Sequence, residues 1–283
     1  MARLVGAMAA SHAPSIGAIT DWGRSPSTRA LRDGFDELHA RITEARPDVI
    51  VLIYDDHVDN FFFNALPAFA IGVGESHAAA DEGRGAPDLP PLPGAPAMAA
   101  FLARHLIEEG EFDLTVCHEL AVDHGVLVPL RLLEWGTSVH VIPIVINGVE
   151  PPMPTARRCW RFGQALAAAI DAWPGSERVL LLGTGGLSHQ LGGRDFGRID
   201  EAFDRRFLEY LCDGPREAIA ELTNEEINGA GNGANEIRNW IAVAGAVPNA
   251  PARLVYYEPL GITGTGIIVF DGVGEGVTSA IAS

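Results

Sequence analysis

Seven apolar runs of strand length punctuate the chain: Leu4 to Ala9, Val49 to Tyr54, Ala68 to Val73, Leu114 to Cys117, Val139 to Val145, Val179 to Leu182 and Gly266 to Phe270. Runs that are apolar throughout, rather than at every second position, suit strands covered on both faces. Between them Ser27 to Ala45, Ala97 to Glu109, Ala156 to Trp173 and Arg198 to Asp213 repeat apolar residues at helical spacing. Strands alternating with amphipathic helices predict an α/β layered fold.

With 283 residues, 47% of them hydrophobic, the chain can fill one large core. The Pro- and Gly-rich stretch Asp81 to Pro96 reads as a surface loop, because the strand and helix rhythm resumes on both sides. One domain over residues 1–283 is therefore expected. A second irregular stretch, Asn224 to Asn235, carries Gly229, Gly231 and Gly233 and reads as a loop that delivers the chain to a helix. The opening residues have the small, weakly charged character of a poor signal peptide, but their apolar run is short and contains Gly6. A buried first strand is the expectation.

No apolar segment approaches the ~20 residues that span a bilayer, so no membrane role is expected. A net charge of −17, a pI near 4.8 and the lack of a Lys/Arg cluster argue against a nucleic-acid partner. Cys117, Cys159 and Cys212 are odd in number and far apart, which fits a reducing, cytoplasmic setting and speaks against a Cys-based zinc site.

Four histidines occupy comparable places. His12 comes after the first apolar run and His57 after the second; His124 lies in Val-Asp-His-Gly and His189 in Gly-Thr-Gly-Gly-Leu-Ser-His-Gln. Each is expected to follow a strand, and in open α/β sheets the carboxyl ends of strands converge on one crevice. A lone histidine is more often a satisfied core or surface residue; four in such places point to a site. His39, His77, His105, His118 and His140 lack comparable neighbours and are given no chemistry.

A helix beginning near Asn235 places Ile237, Trp240, Ile241 and Ala244 on one face, with Glu236 at its edge. An inward carboxylate needs a cation, a hydrogen-bond donor or a metal, although a first-turn Glu is also favoured by the helix dipole. Two histidines and one carboxylate around a common point form the facial triad that holds Fe(II) with open positions, and His12, His57 and Glu236 can supply it. The Gly183 to Gly186 turn lacks the Lys-Ser/Thr continuation of a phosphate loop.

The segments Ser11-His12-Ala-Pro, Tyr54-Asp-Asp-His57, Val122-Asp-His-Gly125, Gly183-Thr-Gly-Gly-Leu-Ser-His189-Gln and Glu236-Ile-Arg-Asn-Trp240 resemble the catalytic β subunits of the protocatechuate 4,5-dioxygenase family, the class III extradiol ring-cleaving dioxygenases. Phe69-Ala-Ile-Gly72, Ala80-Asp-Glu-Gly83 and Phe112-Asp-Leu-Thr115 follow the family in the same order, so the resemblance covers most of the chain. It implies a three-layer α/β/α sandwich around a mixed sheet. It also implies iron ligands at His12, His57 and Glu236, a catalytic base at His189 and a second active-site histidine at His124. The implied reaction opens a small aromatic diol with O2 on Fe(II).

The family's protocatechuate enzymes carry a Ser-Asn pair near the substrate, where this chain reads Leu260-Gly-Ile-Thr-Gly-Thr-Gly266. Gallate and 3-O-methylgallate therefore stand beside protocatechuate as expected substrates. No extra helical segment matches the small α subunit that covers the family's site, so a separate α subunit or a homo-oligomer is the expected partner. Two other functions use the same residues: a zinc hydrolase, since this donor set also suits Zn²⁺, and a non-catalytic interaction protein on the same fold.

Overall fold

The computed structural model describes residues 1–135 and 139–274; residues 136–138 and 275–283 lie outside the described residues, as does that part of the expected domain. In chain order the elements are β1 (Arg3–Ala10), α1 (Pro14–Gly17), α2 (Pro26–Ala45), β2 (Val49–Tyr54), β3 (Phe69–Gly72), β4 (Ser76–His77), β5 (Leu92–Pro93), α3 (Pro96–Glu108), β6 (Thr115–Cys117), α4 (His124–Leu132), β7 (His140–Ile146), α5 (Ala156–Ala172), β8 (Arg178–Thr184), α6 (Glu201–Cys212), α7 (Asn224–Gly229), α8 (Ile237–Ala246), β9 (Ala252–Leu260) and β10 (Thr263–Phe270).

Every residue of β2 is buried, because alternate side chains enter two different cores. Val49, Val51 and Ile53 join the core beneath α3, α5, α6 and α8; Ile50, Leu52 and Tyr54 join the core beneath α2 and α4. The result is the three-layer α/β/α sandwich. Its main sheet runs β6-β3-β7-β2-β8-β1-β10-β9. The pairs β7-β2, β2-β8 and β8-β1 are parallel, whereas β3 and β10 lie antiparallel to β7 and β1, which makes the sheet mixed.

From β1 the chain crosses α2 to β2 on one face, and from β7 it crosses α5 to β8 in the opposite direction on the other face. Opposite directions on opposite faces give both crossovers one hand. The carboxyl ends of β1, β2 and β8 thus meet at a crevice where the winding reverses.

Several elements differ from the sequence reading. Helix α4 begins at His124 itself, capped by Asp123, so this histidine opens a helix instead of following a strand. Asn224 to Asn235 is not a loop: Thr223 and Glu226 form a capping box that starts α7, and a 3₁₀ turn spans Asn232–Glu236. Strand β9 is an unanticipated edge strand, half-exposed and carrying Pro259 within it, as edge strands tolerate. Helix α8 is buried on every side and not on one face; its Arg238 is satisfied by Pro154 O, Asn235 Oδ1 and Asn224 Oδ1. No helix among the described residues is long and apolar enough to cross a membrane.

On β4, the His77 side chain is buried with Nδ1 3.1 Å from Leu120 O and Nε2 without a partner, and burial lowers its pKa. The unfolded chain takes up a proton there below about pH 6.5 while the folded chain resists it, so stability falls as pH drops through that range. Urea midpoints at pH 7.5 and 5.5 should converge in His77→Leu relative to the parent; an unchanged gap would remove His77 from the acid response.

Candidate metal centre

Each of the four singled-out histidines reaches the crevice by its own structural route, and in each the Nδ1 nitrogen is tied back to the protein. Ser11 continues β1 by donating its backbone N–H to Gly266 O and accepting the Gly266 N–H on its Oγ, which delivers His12 just beyond the sheet. Thr184, the last residue of β8, donates its only hydroxyl proton to Gly125 O at 2.8 Å and so accepts from His12 Nδ1–H at 3.1 Å. His57 donates Nδ1–H to Asp123 Oδ2 at 3.0 Å, and the same oxygen accepts the His57 backbone N–H. His189 donates Nδ1–H to Leu187 O at 2.8 Å, and His124 donates Nδ1–H to the Glu82 carboxylate. Tying Nδ1 leaves Nε2 as the nitrogen free to bind a proton or a metal in all four rings.

Three of those Nε2 atoms converge on one carboxylate. Glu236 Oε2 lies 3.2 Å from His12 Nε2; Glu236 Oε1 lies 3.4 Å from His189 Nε2 and 3.9 Å from His57 Nε2. The carboxylate is buried and also accepts the Gly186 N–H, so the glycine turn after β8 does bind an anion, namely Glu236. Glycine is required there: Gly185 has φ 143°, and a Cβ on it would stand 2.8 Å from Glu236 Cβ. Likewise a Cβ at Gly233 would lie 2.1 Å from His189 Nε2, so this glycine keeps the nitrogen uncovered. His124 stacks beside the cluster, its ring centroid 3.9 Å from that of His57 and 5.4 Å from that of His12.

Sequence reasoning missed Asp55, although it stood inside Tyr54-Asp-Asp-His57. Its Oδ1 accepts from Asn239 Nδ2 at 2.9 Å and its Oδ2 lies 3.4 Å from His57 Nε2, which places a second buried carboxylate in the same space. Asp123 and Thr184 were missed in the same way, each adjacent to a residue that was singled out.

The charge pattern is that of a cation site. Burial opposes ionisation of Glu236, but His189 and His12 outweigh it and hold the carboxyl well below its usual range. Burial of Asp55, with Glu236 beside it, pushes that carboxyl up to about 6. Burial disfavours protonated His57, yet Asp55 and Asp123 raise its pKa well above the ordinary imidazole value. His124 moves the other way, down to about 4, through burial and the neighbouring His57 and His12. Protons on imidazoles here neutralise carboxylates that a divalent cation would neutralise instead.

The donors fit such an ion. His12 Nε2 is buried and without a hydrogen-bond partner, an arrangement that is costly unless something binds the lone pair. One ligand atom from each of His12, Asp55, His57 and Glu236 lies within 4.8 Å of the others, and the same holds for His12, His57 and His124. Imidazole nitrogen with carboxylate oxygen is the ligand set of Fe, Mn or Zn.

Comparison with known proteins agrees with this chemistry. Residues 6–268 match the family model described as the catalytic LigB subunit of aromatic ring-opening dioxygenase. A 2,3-dihydroxyphenylpropionate/2,3-dihydroxicinnamic acid 1,2-dioxygenase of Klebsiella pneumoniae is 30% identical over 84% of this chain and 87% of its own length. A protein of the same name from Escherichia coli is 29% identical over 88% of this chain and 92% of its own. Both bear that name and not the name of a protocatechuate 4,5-dioxygenase. An uncharacterised Escherichia coli K12 protein shares the fold, with a TM-score of 0.62 at 18% identity over 94% of this chain and 99% of that one. From residue 6 to residue 268, then, this chain belongs to the family of catalytic LigB subunits of aromatic ring-opening dioxygenases.

Proposed function

We propose that residues 1–283 act as one catalytic domain, a non-haem Fe(II) extradiol dioxygenase that opens a catechol-type ring beside its diol with both atoms of O2. His12, His57 and Glu236 are the assigned metal ligands, His189 the base and His124 a second active-site histidine. The observation that carries the assignment is the partnerless, buried Nε2 of His12 facing Glu236, with His57 Nε2 on the same carboxylate. Two imidazoles and one carboxylate gathered beyond the carboxyl ends of the central strands are the donor set of a facial triad.

Bound there, iron supplies the redox chemistry that lets O2 react with an electron-rich diol. The protein's own part is positioning and proton transfer. His189 Nδ1 is committed to Leu187 O, so Nε2 is the atom that takes the proton from a substrate hydroxyl. Glu236 raises the His189 pKa against the effect of burial; with its charge engaged by a bound cation, Glu236 would no longer favour the imidazolium, and His189 would be a neutral acceptor. Exposed Phe62, Phe63, Leu191 and Phe196 sit on the segments that follow His57 and His189, and cover from an α subunit or a second copy belongs to the same proposal.

The test is anaerobic loading with Fe(II), then oxygen uptake and absorbance scans against 2,3-dihydroxyphenylpropionate, gallate, 3-O-methylgallate and protocatechuate. Uptake with a new yellow chromophore supports ring opening and selects the substrate; bound zinc with no uptake across the panel reassigns the site to hydrolysis.

Metal affinity should also depend on pH. Below its raised pKa, His57 in the empty site carries a proton that the cation must displace, so affinity drops as pH falls, by about tenfold per unit for each proton displaced. Chelator competition between pH 8 and 6 measures this. A flat response would show that no histidine gives up a proton on binding.

A further inference from the structure

Of the four anchors that hold Nδ1, three come from the carboxyl edge of the sheet or its buried surroundings: Thr184, Asp123 and Leu187 O. The fourth, Glu82, comes from the exposed segment that begins at Asp81. That segment is anchored at its base. Ala79 bridges Val122, with Ala80 N donating to Val122 O and Val122 N to Ala78 O. Beyond the bridge, Asp81 Oδ1 accepts from the backbone N–H groups of Gly83, Arg84 and Gly85 and closes a turn around Glu82. Both the bridge and the turn bring the carboxylate to the start of α4.

Asp123, the neighbour of His124 in sequence, is not available for this task. Its Oδ2 is taken by His57 and its Oδ1 by the Gly125 N–H. Without Glu82 the imidazole of His124 has no carboxylate to select its tautomer, and a neutral imidazole can then carry its proton on either nitrogen. A ring that presents Nε2–H to the site is a donor; one that presents a bare Nε2 is an acceptor.

Building on the reading of His124 as an active-site residue, we propose that Glu82 is its positioning residue: the carboxylate accepts the Nδ1 proton and keeps Nε2 an unprotonated acceptor beside His12 and His57. The Ala80-Asp-Glu-Gly83 segment is thereby part of the catalytic apparatus, delivered from a surface turn 42 residues before the ring it orients. Glu82 is a positioning group because it acts through His124 and not on substrate.

Glu82→Ala, Glu82→Gln and His124→Phe test this. Glu82 is partly exposed, so its variants keep the fold. Long-range ¹H–¹⁵N spectra of the Zn(II)-loaded protein read the tautomer of His124 without turnover. Kinetics use whichever diol of the panel above gives oxygen uptake. The expected result for Glu82→Ala is a mixed tautomer and a kcat lower by about tenfold or more, with KM and metal stoichiometry unchanged. Glu82→Gln, whose amide oxygen still accepts from Nδ1–H, should keep the tautomer and stay within roughly threefold of the parent kcat. An unchanged tautomer in Glu82→Ala overturns the proposal, as does metal loss in that variant, which would make Glu82 part of the metal site. Full turnover in His124→Phe would instead remove His124 from the chemistry, while the tautomer measurement still decides what Glu82 does.

Discussion

Glu236→Ala is expected to lose its bound metal and to reduce ring-opening turnover by several orders of magnitude, the largest effect of any single substitution in this chain. Among the described residues, this carboxylate lies within 4 Å of the imidazole nitrogens of His12, His57 and His189 together. Removing it leaves buried His12 and His189 and half-buried His57 around Asp55, which Asn239 holds on its other oxygen. The fold should survive, because burial already opposes the charge of Glu236 and its side chain caps no helix end. Metal analysis and a thermal melt distinguish the two routes to inactivity. Full iron content with normal turnover in Glu236→Ala would end its assignment as a ligand.

His189→Gln should show the opposite combination, with metal retained and kcat lower by roughly 10²- to 10⁴-fold, the usual contribution of a general base. Glutamine can fill the space between Leu187 O and Gly233, but its amide cannot take a proton from a diol at neutral pH. Since His189 contacts Glu236 at 3.4 Å yet stands outside the assigned ligand set, metal content separates the two roles. An unaltered kcat would take proton transfer away from His189; lost metal would move it into the coordination sphere.

The local surroundings of His189 suggest where such sensitivity originates. Buried Asp204 accepts from Ser188 N at 2.7 Å, from Ser188 Oγ at 2.8 Å and from Tyr257 OH at 2.8 Å, which fastens the residue before the histidine to α6 and β9. The base is thus held by rigid elements and not by its loop alone, as a proton acceptor needs when its geometry must be kept to a fraction of an ångström.

Much of this arrangement was legible in the amino-acid order. Continuous apolar runs identified seven of the eight strands of the main sheet; in those covered on both faces no polar position interrupts the run, whereas edge strand β6 is exposed at Thr115 and Val116 and showed only through its residue types. His12, His57 and His189 were visible for the same reason, each standing shortly beyond such a run. Helical spacing around Trp240 set Glu236 at the edge of an apolar surface. Strand β9 was hidden because an edge strand is half-exposed and its composition is mixed. Helix α4 was hidden because Pro129 stands inside it and its cap, Asp123, doubles as the partner of His57.

The sequence by itself determined the layered α/β class, the buried strands and the kinds of side chain available for a metal site, since periodicity and residue type are local properties of a chain. Only the tertiary structure decided which partner serves which ring: Asp123 turns away from its neighbour His124 to hold His57, Glu82 reaches His124 across 42 residues, and Asp55 enters the donor cluster through Asn239, 184 residues away. Such pairings depend on distances between segments far apart in sequence, and those distances exist only once the sheet has brought its carboxyl ends together.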